Sequence, residues 1–372
     1  MAMRKYRAPG RINLIGEHTD YNEGFVLPAA IDKEMVFSIK NGPLGRCVVH
    51  ADDLKEVHSF DLTNFSPLSS GWQNYVMGVV HELQKISPMG IGGCEIHFGG
   101  NVPLGAGVSS SAALECGLAY GLNDYFDLKL DKWQLAKACQ RAEHNFVGMK
   151  CGIMDQFASM MGKVDHAMLL DCRSLEYTYF PLDLGSAQLV LLNSNVVHEL
   201  ANSAYNDRRA SCEQGVEIIG QSFANIKSLR DVDGPMLEKS RENMGEETYR
   251  RCLHVVRENS RVLEATQALR EGNLSHLGTL MFASHKSLQE EYEVSCPELD
   301  FLVQQAKEYP GVLGARMMGG GFGGCTINLM KEAIMSTFIE ETKTTYQEKF
   351  GIELQSYQVK TADGAGPHPA RL

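Results

Sequence analysis

The chain opens on alternation. Ile12 and Leu14 alternate with Arg11 and Asn13, and "MVFSIK", "RCVVHA" and "CEIHFGG" follow within the first hundred residues, the pattern of half-buried strands. One helix interrupts them, starting near Trp72 in "GWQNYVMGVVHELQK". A helical period then predicts helices over 109–126, 131–147 and 153–162. In the first of these, Leu114, Leu118 and Leu122 recur every four residues and turn one face inward. Strands return around 165–171 and 187–194. From Ser203 to about Lys307 the pattern is mostly helical, and the chain closes as strand, glycine loop, strand, helix, strand ("GVLGARMM", "GGGFGG", "CTINLM", "EAIMSTFIEETKTTYQEKF", "LQSYQV"). Strands segregated from helices in each half predict an α+β fold of two domains with a cleft between them. The composition shift at "PLDLGSAQ" sets their limits at 1–182 and 183–372. The final "GPHPARL" reads as a loose tail or as a segment packed back on the N-terminal domain.

Composition acts mainly by exclusion. Apolar residues make up 44% and charged residues 22%, as in a folded globular protein. A net charge of -11 argues against nucleic acid as a partner, because that binding relies on clustered Lys and Arg. The longest aliphatic run is "LVLL" at 189–192, too short to span a bilayer, and "MAMRKYRAPG" lacks the apolar segment of a secretory leader. Ten cysteines are scattered without CxxC or zinc-type spacing, which points to reduced thiols in the cytoplasm.

Several stretches carry candidate chemistry. "GRINLIGEHTDYNEG" packs Arg11, Glu17, His18 and Asp20 into an apolar, Gly-marked start; ionisable groups are rarely buried unless paired, so this is a solvated turn or a site. "NVPLGAGVSSSAALE" runs from Gly105 and Gly107 into a helix whose start carries Ser109, Ser110 and Ser111, where free N–H groups favour a phosphate; a capped helix after a turn is the plainer account. No GxxxxGK[ST] occurs, so this is not a P-loop. Glu143 lies on the face of Ala136, Cys139 and Val147 and needs a cation, a metal or an arginine such as Arg141. Asp155 falls in the first turn of the next helix, where the dipole favours its charge. "GGGFGG" satisfies GxGxxG through Gly319, Gly321 and Gly324 but leads into a strand, so it is no dinucleotide fingerprint; it is a tight turn or a loop closing over a ligand. Tyr205, Arg208 and Arg209 mark another helix start, and Trp72 with Tyr75 is core packing or a stacking platform. Together these are the parts for phosphoryl transfer to a small polyol, where positioning and charge do most of the catalysis.

The same stretches resemble a known family. "GRINLIGEHTDYNEG" is similar to the galactokinase signature, "PLGAGVSSSAALE" to the phosphate loop of the GHMP small-molecule kinases, and "GGGFGGC" to their C-terminal glycine motif; "CGIMDQF", "EYEVSCPELD" and "ADGA" also look like galactokinase. The resemblance spans essentially the whole chain and implies the two-domain GHMP fold, with mixed or antiparallel sheets and the site in the interdomain cleft. It implies that Arg11, Glu17, His18, Asp20, Gly152, Asp155 and Tyr205 bind the sugar. It implies that Gly105, Ala106, Gly107, Ser109, Ser110 and Ser111 cradle the phosphates of ATP, with Trp72 and Tyr75 near adenine. Ser110 and Glu143 would hold Mg²⁺, and Asp155 and Arg11 would be the catalytic pair. The expected reaction is ATP with galactose to galactose 1-phosphate and ADP, with no membrane and no obligate protein partner. Helix start and arginine both favour a charged, weakly basic Asp155, so it is expected to accept the C1 proton late and mainly to orient. The rivals are a kinase for N-acetylgalactosamine or L-arabinose, and a non-catalytic galactose/ATP sensor regulating transcription. Ser111 and Ala112, both present, favour the enzyme.

Overall fold

The computed structural model describes residues 2–87, 89–197 and 201–369. Its strands are β1 (Arg4–Asn13), β2 (Phe25–Val26), β3 (Pro28–Asn41), β4 (Arg46–Ala51), β5 (Glu56–Asp61), β6 (Cys94–Gly100), β7 (His166–Asp171), β8 (Tyr177–Pro181), β9 (Ala187–Val197), β10 (Val312–Met317), β11 (Gly323–Lys331), β12 (Gln355–Val359) and β13 (Gly366–Pro367). Its helices are α1 (Gln73–Ile86), α2 (Ser110–Tyr125), α3 (Lys132–Ala142), α4 (Met154–Met161), α5 (Ala201–Gly220), α6 (Gly234–Met244), α7 (Glu246–Arg270), α8 (Leu274–Glu290), α9 (Pro297–Glu308) and α10 (Met335–Phe350).

The first half builds a six-stranded sheet in the order β13-β1-β3-β6-β4-β5. It is mixed, because β4 and β6 run parallel while the other neighbours are antiparallel. The second half builds an antiparallel sheet, β10-β11-β9-β12, and a three-stranded sheet, β2-β7-β8, lies beside the first. None of the described helices is long and apolar enough to cross a membrane, and all ten cysteines are unpaired.

Helix α2 shows how the sequence pattern becomes packing. Leu114, Leu118 and Leu122 are buried, and two glycines bring the helix close to the sheet. A Cβ at Gly117 would lie 2.1 Å from the Phe37 ring, and one at Gly121 would lie 2.8 Å from Ile39. Strand β1 carries a register shift between Pro9 and Arg11, and a Cβ at Gly10 would approach the Val108 carbonyl at 2.7 Å. Such irregularities re-aim side chains, and here Arg11 follows directly.

Two sequence expectations change. The tail is not loose as far as it is described: Gly366 and Pro367 pair with Arg7 and Tyr6, and His368 N donates to the Lys5 carbonyl, because β1 has a free edge there. The helix expected over 131–147 ends at Ala142, and Glu143–Val147 forms a single π-helical turn. Such turns inside helices are rare and frequent at functional sites.

Candidate active site

The polar cluster of residues 11–20 is a buried junction between the two halves, not a solvated turn. Arg11, Glu17 and His18 are all buried. The loop after β1 is held from the other half of the chain: Gly16 N donates to Glu258 Oε1 (2.9 Å), Phe25 N to Asn259 Oδ1 (2.9 Å), and Arg316 Nη1 to the Asn13 carbonyl (2.8 Å). Arg316 Nη2 also pairs with Glu17 Oε1 at 2.9 Å, with both side chains buried. The glycine loop then adds Gly319 N, which donates to the same Glu17 oxygen at 3.0 Å.

Arg11 and Asp155 form a two-toothed pair. Nε donates to Oδ1 at 2.7 Å and Nη2 to Oδ2 at 2.8 Å, while Nη1 reaches the Gly107 carbonyl at 2.6 Å. This fork geometry is the strong form of an ion pair. Burial works against the Arg11 charge, but Asp155, Glu17 and Asp20 more than offset it. Ser109 adds a third donor to Asp155, Oγ to Oδ2 at 2.5 Å. The capping account of Ser109 therefore fails: the residue sits in the left-handed region at φ 58° and makes no side-chain cap.

A narrow cavity opens beside this pair, lined by Arg11, Glu17, His18, Asp20, Gly152, Asp155 and Tyr205 together with Ser111, Glu143, Gly319 and Gly320. All seven residues assigned to the sugar are brought together here. Gly152 is required by close approach, since a Cβ there would lie 1.8 Å from Asp20 Oδ2. Burial first, then the Asp155 charge, push the Asp20 carboxyl up to about 7. Burial and the neighbouring His254 push His18 down to about 3, leaving it neutral. Its Nδ1 lies 2.7 Å from the Tyr21 hydroxyl, which lies 2.7 Å from that of Tyr292; its Nε2 has no hydrogen-bond partner among the described residues.

Ser111 also borders a larger cavity of ≈ 840 Å³. Trp72, Tyr75 and Ser110 line it, with Leu68, Phe98 and Gly148 among the others. Gly105, Ala106, Gly107 and Ser109 do not line it: Ala106 is buried, and Gly107 and Ser109 turn toward Arg11 and Asp155. The glycine motif explains their shape. Cβ atoms at Gly319 and Gly324 would come within 3.3 Å and 3.6 Å of Gly107 backbone atoms, so the two glycine loops pack against each other.

Glu143 is buried, and its carboxyl is pushed up to about 7, chiefly by burial; Cys151, Ser111 and Glu115 offer hydrogen bonds to it. The expected partner Arg141 goes elsewhere, its Nε donating to Glu82 at 2.8 Å. No Lys or Arg pairs with Glu143 among the described residues. Sequence reading missed Glu115, fully buried in α2 beside Glu143, and Arg316. A charged residue in the apolar runs "SAALECGLAYGL" and "VLGARMM" was the available signal.

This geometry has known counterparts. Residues 4–41 match the galactokinase galactose-binding signature, residues 74–163 the GHMP kinases N terminal domain, and residues 265–334 the GHMP kinases C terminal domain. The galactokinase of Thermotoga neapolitana is 43% identical, over 97% of this chain and 99% of its own. That of Clostridium acetobutylicum is 41% identical, over 96% and 93%. The chain belongs to the galactokinase family. Among solved structures, the galactokinase of Lactococcus lactis complexed with galactose superposes with a TM-score of 0.94 at 34% identity, covering 98% of this chain and 95% of that one. The mevalonate kinase of Methanococcus jannaschii (TM-score 0.69, 17% identity, 97% and 99% covered) shares the fold alone. The galactokinase family thus accounts for the two-domain α+β architecture with its mixed and antiparallel sheets.

Proposed function

We propose that the chain transfers the γ-phosphoryl group of ATP to the C1 hydroxyl of galactose, giving galactose 1-phosphate and ADP. The observation that carries this reading is the Arg11–Asp155 pair, with Ser109 on it, lining a narrow polar cavity that shares Ser111 with the larger one. Sugar in the first cavity and nucleotide in the second would present hydroxyl and phosphate to the same two side chains.

Asp155 already receives three hydrogen bonds, which fix the aim of its carboxylate. A loose transition state needs little base strength before the acceptor bond forms, so Asp155 orients the hydroxyl and takes its proton late. Arg11 holds that carboxylate in place and offsets charge on the transferring group. Glu17, His18, Asp20, Gly152 and Tyr205 bind the sugar, with Glu17 limited by the Arg316 and Gly319 contacts on one of its oxygens. If Tyr292 donates to Tyr21 and Tyr21 to Nδ1, His18 is left with Nε2–H facing the cavity as a donor. This order uses the phenol-to-imidazole bond, the better match of donor and acceptor. Glu143 and the Ser110 and Ser111 hydroxyls are the hard oxygen donors that would hold Mg²⁺, which would supply charge neutralisation for the phosphates. Trp72 and Tyr75 serve the adenine side of the larger cavity.

An ADP-release assay with Mg·ATP against galactose, N-acetylgalactosamine, L-arabinose and glucose, with the phosphorylated position determined, tests the reading. Turnover on galactose at C1 is expected. Turnover on another sugar alone would keep the kinase and overturn the sugar assignment; tight sugar binding without turnover would point to a sensor.

A further inference from the structure

The second cluster of ligating side chains lies away from the polar cavity, on the open face of the six-stranded sheet. In the parallel pair β4–β6, His50 stands opposite His97 and Val48 opposite Glu95. The alternate residues Cys94, Ile96, Cys47 and Val49 are buried, so His50, Glu95 and His97 project together from the other face. Glu95 Oε1 lies 3.4 Å from His50 Nε2 and 3.3 Å from His97 Nε2. The two imidazoles lie parallel, with centroids 4.0 Å apart and planes within 1°. Asp52 Oδ1 lies 3.1 Å from His97 Nδ1, and Lys40 Nζ lies 3.1 Å from Glu95 Oε1.

Glu95 draws both imidazole Nε2 atoms and the Lys40 ammonium to one carboxylate oxygen, and the ligating atoms of His50, Glu95 and His97 all lie within 4.8 Å of one another. We propose that His50, Glu95 and His97 bind a divalent transition-metal ion of the zinc class. Bonds of ~2.0–2.1 Å from Zn²⁺ to nitrogen and oxygen give tetrahedral edges of ~3.3–3.4 Å, which match the two Glu95 distances; because the rings lie parallel, one imidazole must turn out of the stack to aim its Nε2 lone pair at the same ion. Two imidazoles and a carboxylate suit zinc, and the partial exposure of all three side chains leaves a fourth position for water. Asp52 occupies the place of the carboxylate that orients a ligating histidine through its other nitrogen. The site differs in kind from the all-oxygen set at Glu143. Lys40 competes for Glu95 and must swing away, which its flexible, half-exposed stem permits.

The experiment is Zn²⁺ titration by calorimetry on the chelator-treated full chain, with Mg²⁺ in excess to occupy the hard-ligand site, and a parallel Co²⁺ absorption spectrum. One equivalent of Zn²⁺ with a nitrogen and oxygen Co²⁺ spectrum is expected. His50→Ala, His97→Ala and Glu95→Gln should each weaken binding at least ~10-fold, and Asp52→Asn by ~10- to 100-fold. Lys40→Met should tighten it. Circular dichroism of the metal-free variants checks that they fold alike. A thiolate-type Co²⁺ spectrum, unchanged affinity in the His50→Ala/His97→Ala double variant, or no binding by wild type would overturn the proposal.

Discussion

Asp20→Asn separates what the polar cavity does for binding from what it does to stability. In the folded protein the carboxyl is pushed from 3.8 up to about 7, by burial first and by Asp155 second, while the Tyr21 and Met154 backbone N–H groups pull the other way. The folded chain therefore keeps a proton that the unfolded chain releases between about pH 4 and pH 7. The sign follows: this residue's contribution to stability falls as pH rises through that window, and above pH 7 the ionised form destabilises the fold. Three units correspond to ~4 kcal/mol in all, of which roughly 2.6 kcal/mol develops between pH 5 and pH 8. Water at the partly exposed side chain reduces that to about 1–2.5 kcal/mol. Asparagine has the shape of the protonated acid and no charge. Urea unfolding at pH 5 and pH 8 should show the variant gaining on wild type by that amount at the higher pH. The same variant should lose ~10- to 100-fold in galactose kcat/KM, the scale of a charged hydrogen bond. An advantage equal at both pH values would refute the burial argument.

Other outcomes follow from the same geometry. Asp155→Asn should lower kcat by ~10²–10⁴-fold with a smaller change in the galactose KM, and Arg11→Lys should lower kcat because a single ammonium cannot make the two-toothed contact; wild-type kcat in either would remove that residue from the catalytic pair. Arg316→Met should cost ~3–5 kcal/mol by leaving Glu17 buried and unpaired, whereas Arg316→Met with Glu17→Gln should be closer to wild type in stability; equal losses in urea unfolding would show that the pair does not act as a unit. Gly152→Ala should displace the Asp20 carboxylate and raise the galactose KM at least ~10-fold with little change in thermal midpoint, and an unchanged KM would show that Asp20 is free to move. Tyr292→Phe should lower kcat/KM for galactose but leave it unchanged for the one deoxygalactose that lacks the hydroxyl His18 meets; an equal loss across all deoxygenated sugars would mean that Tyr292 only packs.

Much of this molecule was legible locally. Alternation and helical period located β6, α2 and α4 to within a few residues; β6 buries one face as its alternation says, whereas α2 and α4 are buried nearly all round. The ionisable residues at 11–20 were legible as a cluster in an apolar setting, though not as a clasp. What the sequence by itself determined was which residues carry chemistry and, by family resemblance, what kind. Only the tertiary structure decided their pairings. Arg141, two residues from Glu143, pairs with Glu82, while Arg316, hundreds of positions away, neutralises Glu17. Ser109 turns from the cap it could have made to Asp155, and the expected tail becomes the edge strand beside β1. The physical reason is common to all of these. A period registers which face is buried, but a charge or hydroxyl takes whichever partner the packed halves bring within ~3 Å, and that choice is made by contacts between residues the chain keeps far apart.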